Sequence, residues 1–435
     1  MSLSNTINYL IQNLVSNTRL FKVILALTAF LFFNSSGCPE KNDVELSREI
    51  STPIRQYLNL LDLNKLNNLK KEVRTGNHKA LYAKFLRSAN KLLAEGPFSV
   101  TQKTQIPPSG DKHDYISIGP YWWPDPEKSN GLPWINKDGQ INPITQGGNT
   151  DNVRKSTFFQ NVYVLSLAYF FSEKKKYAKK AEELLRVWFV DSETKMNPNL
   201  NFAQGVPGRI PGRSSGIIEF SGIRLVITSI EILDSQSAIN KEIIDELKIW
   251  FADYLHWLQT SEGGIEAKKA QNNHGTWYDV QEITLLLYLE RFEEARLSLE
   301  MVKTNRIATQ IGPDGAQPKE LIRTKALHYS TFNLHAFTLL AHLAEKNDMD
   351  LWNYQAENGA SVQKAYAFLI PYVTEQKEWD YQQITNIKAA KRKLLLLFGE
   401  ASSAFKNTEF CEIALSRNSQ KDRFLDLVTS KCSVL

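Results

Sequence analysis

The sequence predicts an all-α fold of stacked helical hairpins, as in an α/α toroid (an incomplete barrel of hairpins), crossed by long irregular lid loops. Three observations predict it. Apolar residues recur at three-to-four spacing in segment after segment, strand-like alternation is scarce, and the segments are similar in length and joined by short loops. The periodic segments lie near 79–94, 155–171, 175–190, 216–234, 240–260, 290–303, 322–343, 360–374 and 383–398. Phe158, Val162, Leu165 and Tyr169 mark one stripe, and Ala181, Leu184, Leu185 and Trp188 another. A fully helical superhelix has the same periodicity, so this pattern leaves both architectures open. No exact internal repeat is present.

With 435 residues, 42% of them hydrophobic, the chain can bury a large core but is too polar for a polytopic membrane protein. The charged fraction of 23% and mean hydropathy of −0.34 fit a soluble globular body. The net charge of +5 is mild, and no Lys/Arg block with interleaved aromatics points to nucleic acid. A local cationic cleft would still attract a polyanion.

The first informative segment is N-terminal. Arg19 and Lys22 precede an apolar run, Val23 to Phe33, followed by Asn34-Ser35-Ser36-Gly37-Cys38. A positive flank, a short apolar run and small residues make an export signal over 1–37. Gly37-Cys38 resembles a lipoprotein processing site with Cys38 as the lipidated residue, although Ser35 stands where such sites usually carry Leu. A plain signal peptide or an uncleaved anchor is the alternative. Residues 38–53 read as a polar tether and 54–435 as one helical domain. The expected location is the periplasm or the outer membrane, with a lipid anchor as the sole membrane contact. Cys411 and Cys432 either pair in an oxidising compartment or stay as buried thiols. No CxxC or Cys/His array exists, and the reading calls for no metal and no cofactor.

Two irregular stretches, 104–151 and 193–215, interrupt the helical pattern, and loops this long in a compact domain are often functional. The first holds His113-Asp114-Tyr115 and Tyr121-Trp122-Trp123-Pro124. Its aromatics suit stacking on sugar rings, or else plug the loop onto the helices. The second holds Arg209 and Arg213 on a Gly/Pro loop. These either grip carboxylates or divide into one solvated arginine and one paired with Glu219. A third run is Gln271-Asn272-Asn273-His274-Gly275-Thr276-Trp277, where a lone histidine is more often structural than catalytic. A fourth is Gln317-Pro318 to Arg323-Thr324 and His328-Tyr329-Ser330. Arg323 and Tyr329 stand six residues apart, off one helical face, so both point inward from an irregular helix start or from the wall of a cleft, or else Tyr329 is a core residue with its hydroxyl satisfied.

Together these runs resemble the alginate-lyase superfamily of helical polysaccharide lyases, in particular polysaccharide lyase families five and thirty-eight, over about residues 80–345. The resemblance implies β-elimination on an acidic, uronate-containing polysaccharide. Such chemistry needs the 6-carboxylate neutralised, the C5 proton removed and the O4 leaving group protonated. By resemblance, Asn273 and Arg323 neutralise the carboxylate and His274 assists or acts as base. Tyr329 protonates O4 and takes the C5 proton in turn. A cation or histidine beside Tyr329 would favour its phenolate. Tyr115, Trp122, Trp123, Arg209, Arg213 and His328 are the expected substrate contacts. Alginate, in its mannuronate blocks, is the first substrate and glucuronan the second.

Two readings compete. One is a hydrolase on an α/α barrel using Asp151, Asp279, Glu282 or Glu320. The other is a non-catalytic, surface-anchored glycan-binding protein.

Overall fold

The computed structural model describes residues 58–405, 408–416, 424–430 and 432. The chain divides into two units, Met1–Thr52 and Pro53–Leu435, and every described residue belongs to the second. The export signal, Cys38 and the tether lie outside the described residues.

The helices are α1 (Leu63–Arg74), α2 (Lys79–Leu92), α3 (Asn152–Ser172), α4 (Lys175–Phe189), α5 (Ile223–Asp234), α6 (Lys241–Thr260) and α7 (Glu262–Lys269). They continue with α8 (Asn273–Tyr288), α9 (Phe292–Val302), α10 (Ala326–Glu345), α11 (Val362–Val373), α12 (Ile387–Ala401), α13 (Thr408–Ser416) and α14 (Phe424–Thr429). α3 packs on α5, α5 on α8, α8 on α10 and α10 on α12, which makes an inner layer. α4, α6, α9, α11 and α13 back these helices from outside. This alternation of inner and outer helices is the α/α toroid.

Outer helices carry a single apolar face, as in α4, which buries Tyr177, Ala178, Ala181, Leu184, Leu185 and Trp188. Trp188 stacks on Phe158 of α3 at 4.9 Å between ring centroids. Each leucine of this face contributes about 1.5–3 kcal/mol by burial. Inner helices are covered on nearly every side. In α8 every residue except His274 is buried. Its two carboxylates are therefore paired with cations: Asp279 with Arg306 at 2.8 Å and Glu282 with Lys268 at 2.9 Å.

The two irregular stretches zip together. β1 (Ile116–Ile118) pairs in parallel with β4 (Phe202–Gly205), while β2 (Trp122–Trp123) pairs antiparallel with β3 (Ile135–Asn136). Gly208, at φ +76°, lies against Pro133, where a side chain would collide as well as strain the backbone. Cys411 and Cys432 are joined as a disulfide. Among the described residues no helix is long and apolar enough to cross a membrane.

Candidate active site

The site begins at the start of α8. Asn272 caps the helix by accepting from the His274 backbone N–H at 3.1 Å. Arg306 braces the turn before it, donating to the carbonyls of Lys268 at 2.6 Å and Ala270 at 3.1 Å as well as to Asp279. Glu320, on the short helical turn Pro318–Leu321, accepts from both the backbone N–H and Nδ2 of Asn273, each at 2.7 Å. One Nδ2 hydrogen of Asn273 is thus committed to Glu320, and only the second is left for a substrate carboxylate. The Oδ1 of Asn273 has no partner.

His274 keeps part of its surface open, and its Nδ1 has no partner. Its ring is nonetheless desolvated, and burial first, then Arg213 and Arg323, lowers its pKa to about 4. It is neutral near pH 7.

Arg323 precedes α10, which starts at Ala326 rather than near 322 as the periodicity suggests. The separation along one helix therefore does not apply, and the Arg323 guanidinium lies 3.9 Å from the centroid of the Tyr329 ring. Asp138 anchors Arg323 from the loop, 2.5 Å from Nη2 and 3.2 Å from Nε. The Tyr329 hydroxyl donates to the Tyr121 hydroxyl at 2.7 Å. Burial, followed by Tyr121, raises the Tyr329 pKa, and Arg323 opposes this without reversing it. Arg323 acts on the phenol in the expected direction, but burial outweighs it, and at rest Tyr329 is a protonated phenol. His328 stands edge-on to Tyr329 at 5.5 Å and stacks on Phe332 at 6.2 Å. Burial, then Lys393 and Lys325, lowers its pKa to about 4.

The loops bring Trp122 between two cations, with Arg209 at 5.5 Å and Arg213 at 5.7 Å from its ring. Arg213 donates to the Gln204 side chain at 2.8 Å rather than to Glu219, and Arg209 donates to the Trp134 carbonyl at 2.9 Å. Trp123 donates to the Gln140 carbonyl at 3.0 Å under Lys137. Both tryptophans remain partly exposed.

Tyr115 does not line the site. It is 0% exposed, its hydroxyl donates to Glu219 at 2.7 Å, and its ring meets Phe220 edge-on. It is core, and a sugar cannot reach it. Tyr121 is the loop tyrosine that reaches Tyr329, and sequence reasoning passed over it although it adjoins Trp122-Trp123. Asp138 was also missed, since nothing local marks a residue that pairs 185 positions away.

The carboxylates required by a hydrolase are committed elsewhere. Asp151 is enclosed between Lys103 at 3.1 Å and Arg154 at 3.0 Å, Asp279 and Glu282 hold their cations, and Glu320 holds Asn273. No free pair among these residues flanks a cleft for acid and base attack. Among the described residues no group of His, Cys, Asp or Glu gathers that could hold a metal.

The alginate lyase family model matches residues 99–379, well over half of the chain. The chain belongs to the alginate lyase family. It is therefore a polysaccharide lyase, a carbon–oxygen lyase for an acidic polysaccharide. A solved alginate lyase from Bacteroides ovatus is 36% identical, covers 86% of this chain and 99% of its own, and superposes with a TM-score of 0.83. A histidine-to-alanine variant of alginate lyase A1-III complexed with a tetrasaccharide is 15% identical, over 88% of this chain and 99% of its own, with a TM-score of 0.56. Alginate lyase A1-III from Sphingomonas species A1 is 16% identical, over 82% and 92%, with a TM-score of 0.52. At that identity the two A1-III structures attest the shared fold of the alginate lyase family. Among curated proteins the comparison gives no match.

Proposed function

We propose that this lyase cleaves alginate within its mannuronate blocks, by an elimination centred on Tyr329. The observation that carries the reading is the placement of Tyr329, whose hydroxyl donates to the Tyr121 hydroxyl at 2.7 Å while the Arg323 guanidinium lies 3.9 Å from the centroid of its ring. In mannuronate the C5 proton and O4 lie on one side of the ring, so a single group serves both ends. Tyr329 gives its hydroxyl proton to the Tyr121 oxygen, which passes its own proton on to water, and Arg323 stabilises the phenolate that remains. The phenolate takes the C5 proton, and the freed electron pair forms the C4=C5 double bond. The C4–O4 bond breaks, and O4 receives the proton from Tyr329. Asn273, through its second Nδ2 hydrogen, neutral His274 and Arg323 hold the 6-carboxylate while it accepts charge. In guluronate the proton and O4 lie on opposite sides, and His274 would have to be the base. Trp122, Trp123, Arg209, Arg213 and His328 line the approach of the chain.

Glucuronan is the second substrate, because its reacting geometry is that of mannuronate. Export and anchoring through Cys38 complete the proposal on the strength of Arg19, Lys22, the apolar run and Gly37-Cys38. The test is the initial rate of ultraviolet-absorbing double-bond formation on mannuronate-rich alginate, guluronate-rich alginate and glucuronan. The mannuronate polymer should be fastest. A faster rate on guluronate blocks would overturn the substrate assignment, and activity on a neutral glycan alone would overturn the mechanism.

A further inference from the structure

We infer that the inner wall of the helical ring carries a second uronate subsite, in which Arg224 receives the carboxylate of a sugar removed from the cleaved bond. The inference rests on the lyase reading and extends it along the polymer.

The inner helices bring one cluster together: Tyr163 from α3, Arg224 from α5, Trp277 from α8, His335 from α10, and Lys393 and Glu400 from α12. The Arg224 guanidinium lies 5.7 Å from the centroid of the Trp277 ring, and His335 meets the same ring edge-on at 5.4 Å. From there a chain of ring contacts, beginning at the buried Trp277, leads back to the reaction centre. Trp277 stacks on Phe332 at 4.8 Å, Phe332 on His328 at 6.2 Å, and His328 adjoins Tyr329 at 5.5 Å. His328 and His335 are two turns apart on α10, roughly 10 Å along the axis, enough for a neighbouring sugar to lie between.

Arg224 is a cation whose attraction to Glu400 closes no contact ion pair. Its Nε is shielded from solvent and has no hydrogen-bond partner, and no ion pair joins it to another described residue. A shielded guanidinium N–H is costly to leave unmade, and an anionic oxygen is its natural acceptor. Glu400 and Tyr163 attract Arg224 electrostatically. Lys393, exposed and close to both His328 and His335, supplies a second cation. Both histidines are held neutral by burial, with pKa lowered to about 4 and about 3, so they add no charge of their own near pH 7. Two cations against one carboxylate leave the cluster net positive. That balance suits a uronate, while His335 offers a neutral ring nitrogen to its hydroxyls. A purely structural arginine would instead have its N–H groups satisfied within the fold.

The test measures binding by calorimetry to the Tyr329→Phe protein, which should bind substrate while turning it over roughly a hundredfold or more slowly. The probes are mannuronate oligomers from dimer to hexamer. Affinity should rise stepwise with length. Arg224→Gln in this background should lose one step, weakening the longer oligomers about tenfold and the dimer least. Arg224→Lys should restore part of the step, and Lys393→Gln should weaken the same lengths to a smaller degree. Oligomers with their carboxylates reduced to alcohols should not discriminate between Arg224 and Gln. Thermal melts establish that each variant is folded, and Lys393→Gln carries the test if Arg224→Gln is not. An unchanged length profile, or a uniform loss at every length, overturns the subsite while leaving the lyase reading intact. Absence of double-bond formation by the wild type on every uronate polymer overturns the lyase reading, and this subsite with it.

Discussion

Asp138 holds Arg323 through both carboxylate oxygens, at 2.5 Å and 3.2 Å, and also accepts from the Thr324 hydroxyl at 2.9 Å. A residue of the long loop thereby fixes the cation that faces the Tyr329 ring. Asp138→Asn keeps the shape but removes the charge. Charge-assisted hydrogen bonds are worth about 1.5–3 kcal/mol, so kcat/KM should fall about ten- to a hundredfold. Arg323→Ala combined with Asp138→Asn should lose less than the sum of the two, because they act as one unit. Additive losses in steady-state kinetics would count against this coupling.

Tyr329→Phe removes only a hydroxyl. Proton transfer by a positioned group contributes roughly 10²–10⁴-fold, so turnover should fall on that scale while oligomer binding survives. Tyr121→Phe removes the partner of that hydroxyl and should cost about tenfold. Both are read from initial rates of double-bond formation. Near-normal turnover by Tyr329→Phe would remove the tyrosine from the reaction.

Glu320→Gln tests the aim of Asn273. The carboxylate accepts two hydrogen bonds from Asn273, whereas a glutamine presents one oxygen and one N–H₂ to the same two donors. One clash of donors should turn Asn273 aside and lower kcat/KM by about one to two orders of magnitude. Melting shows whether the fold survives, and the Asn273→Ala, Glu320→Gln double variant should be little worse than Asn273→Ala alone.

Acidification should destabilise the protein through its enclosed histidines. His335 has its pKa lowered to about 3 from the ordinary 6.5, by burial first and then by Arg224. Between those values the unfolded chain binds a proton that the folded chain refuses. The stability is therefore full above pH 6.5 and drains away as pH falls towards 3. Asp151 and Asp279, raised to about 6 by burial, work in the opposite sense. His335→Gln should consequently lose less melting temperature between pH 7 and pH 4 than the wild type. An equal loss would show that this histidine does not govern the acid limb.

Cys38→Ala should move the protein from the membrane fraction to the soluble fraction if Cys38 is lipidated. Mass spectrometry of the N-terminal peptide reads the same point directly. Unchanged fractionation together with an unmodified Cys38 would end the anchor proposal.

Much of the fold was legible because outer helices announce themselves. The stripe Ala181, Leu184, Leu185 and Trp188 became α4, buried where the period said it would be. α8 was not legible as a helix. It is covered on all sides, so it shows no polar stripe, and its first turn is Asn273-His274-Gly275-Thr276. The start of α10 was misplaced for a different reason: Ile322, though apolar, is an exposed turn residue. At the site, the Asn-His run and the Arg–Tyr run could be read as motifs. Tyr115 was misjudged because an aromatic in a polar loop looks alike whether it faces sugar or is locked under the loop by Glu219. Asp138 and Glu320 act through contacts that only folding creates.

The burial of α8 also sets where this scaffold can change its substrate range. Every α8 position but His274 is packed, so most substitutions there cost stability before they alter the chemistry. The loops at 104–151 and 193–215 carry Trp122, Trp123, Arg209 and Arg213, all at least partly exposed, on backbone that pairs with itself. Divergence towards a new polymer therefore has one open route, which leaves the strut that carries His274 alone and rewrites the loops above it. A directed-evolution library confined to those loops should yield folded variants of altered preference, and one confined to α8 should yield mostly insoluble chains.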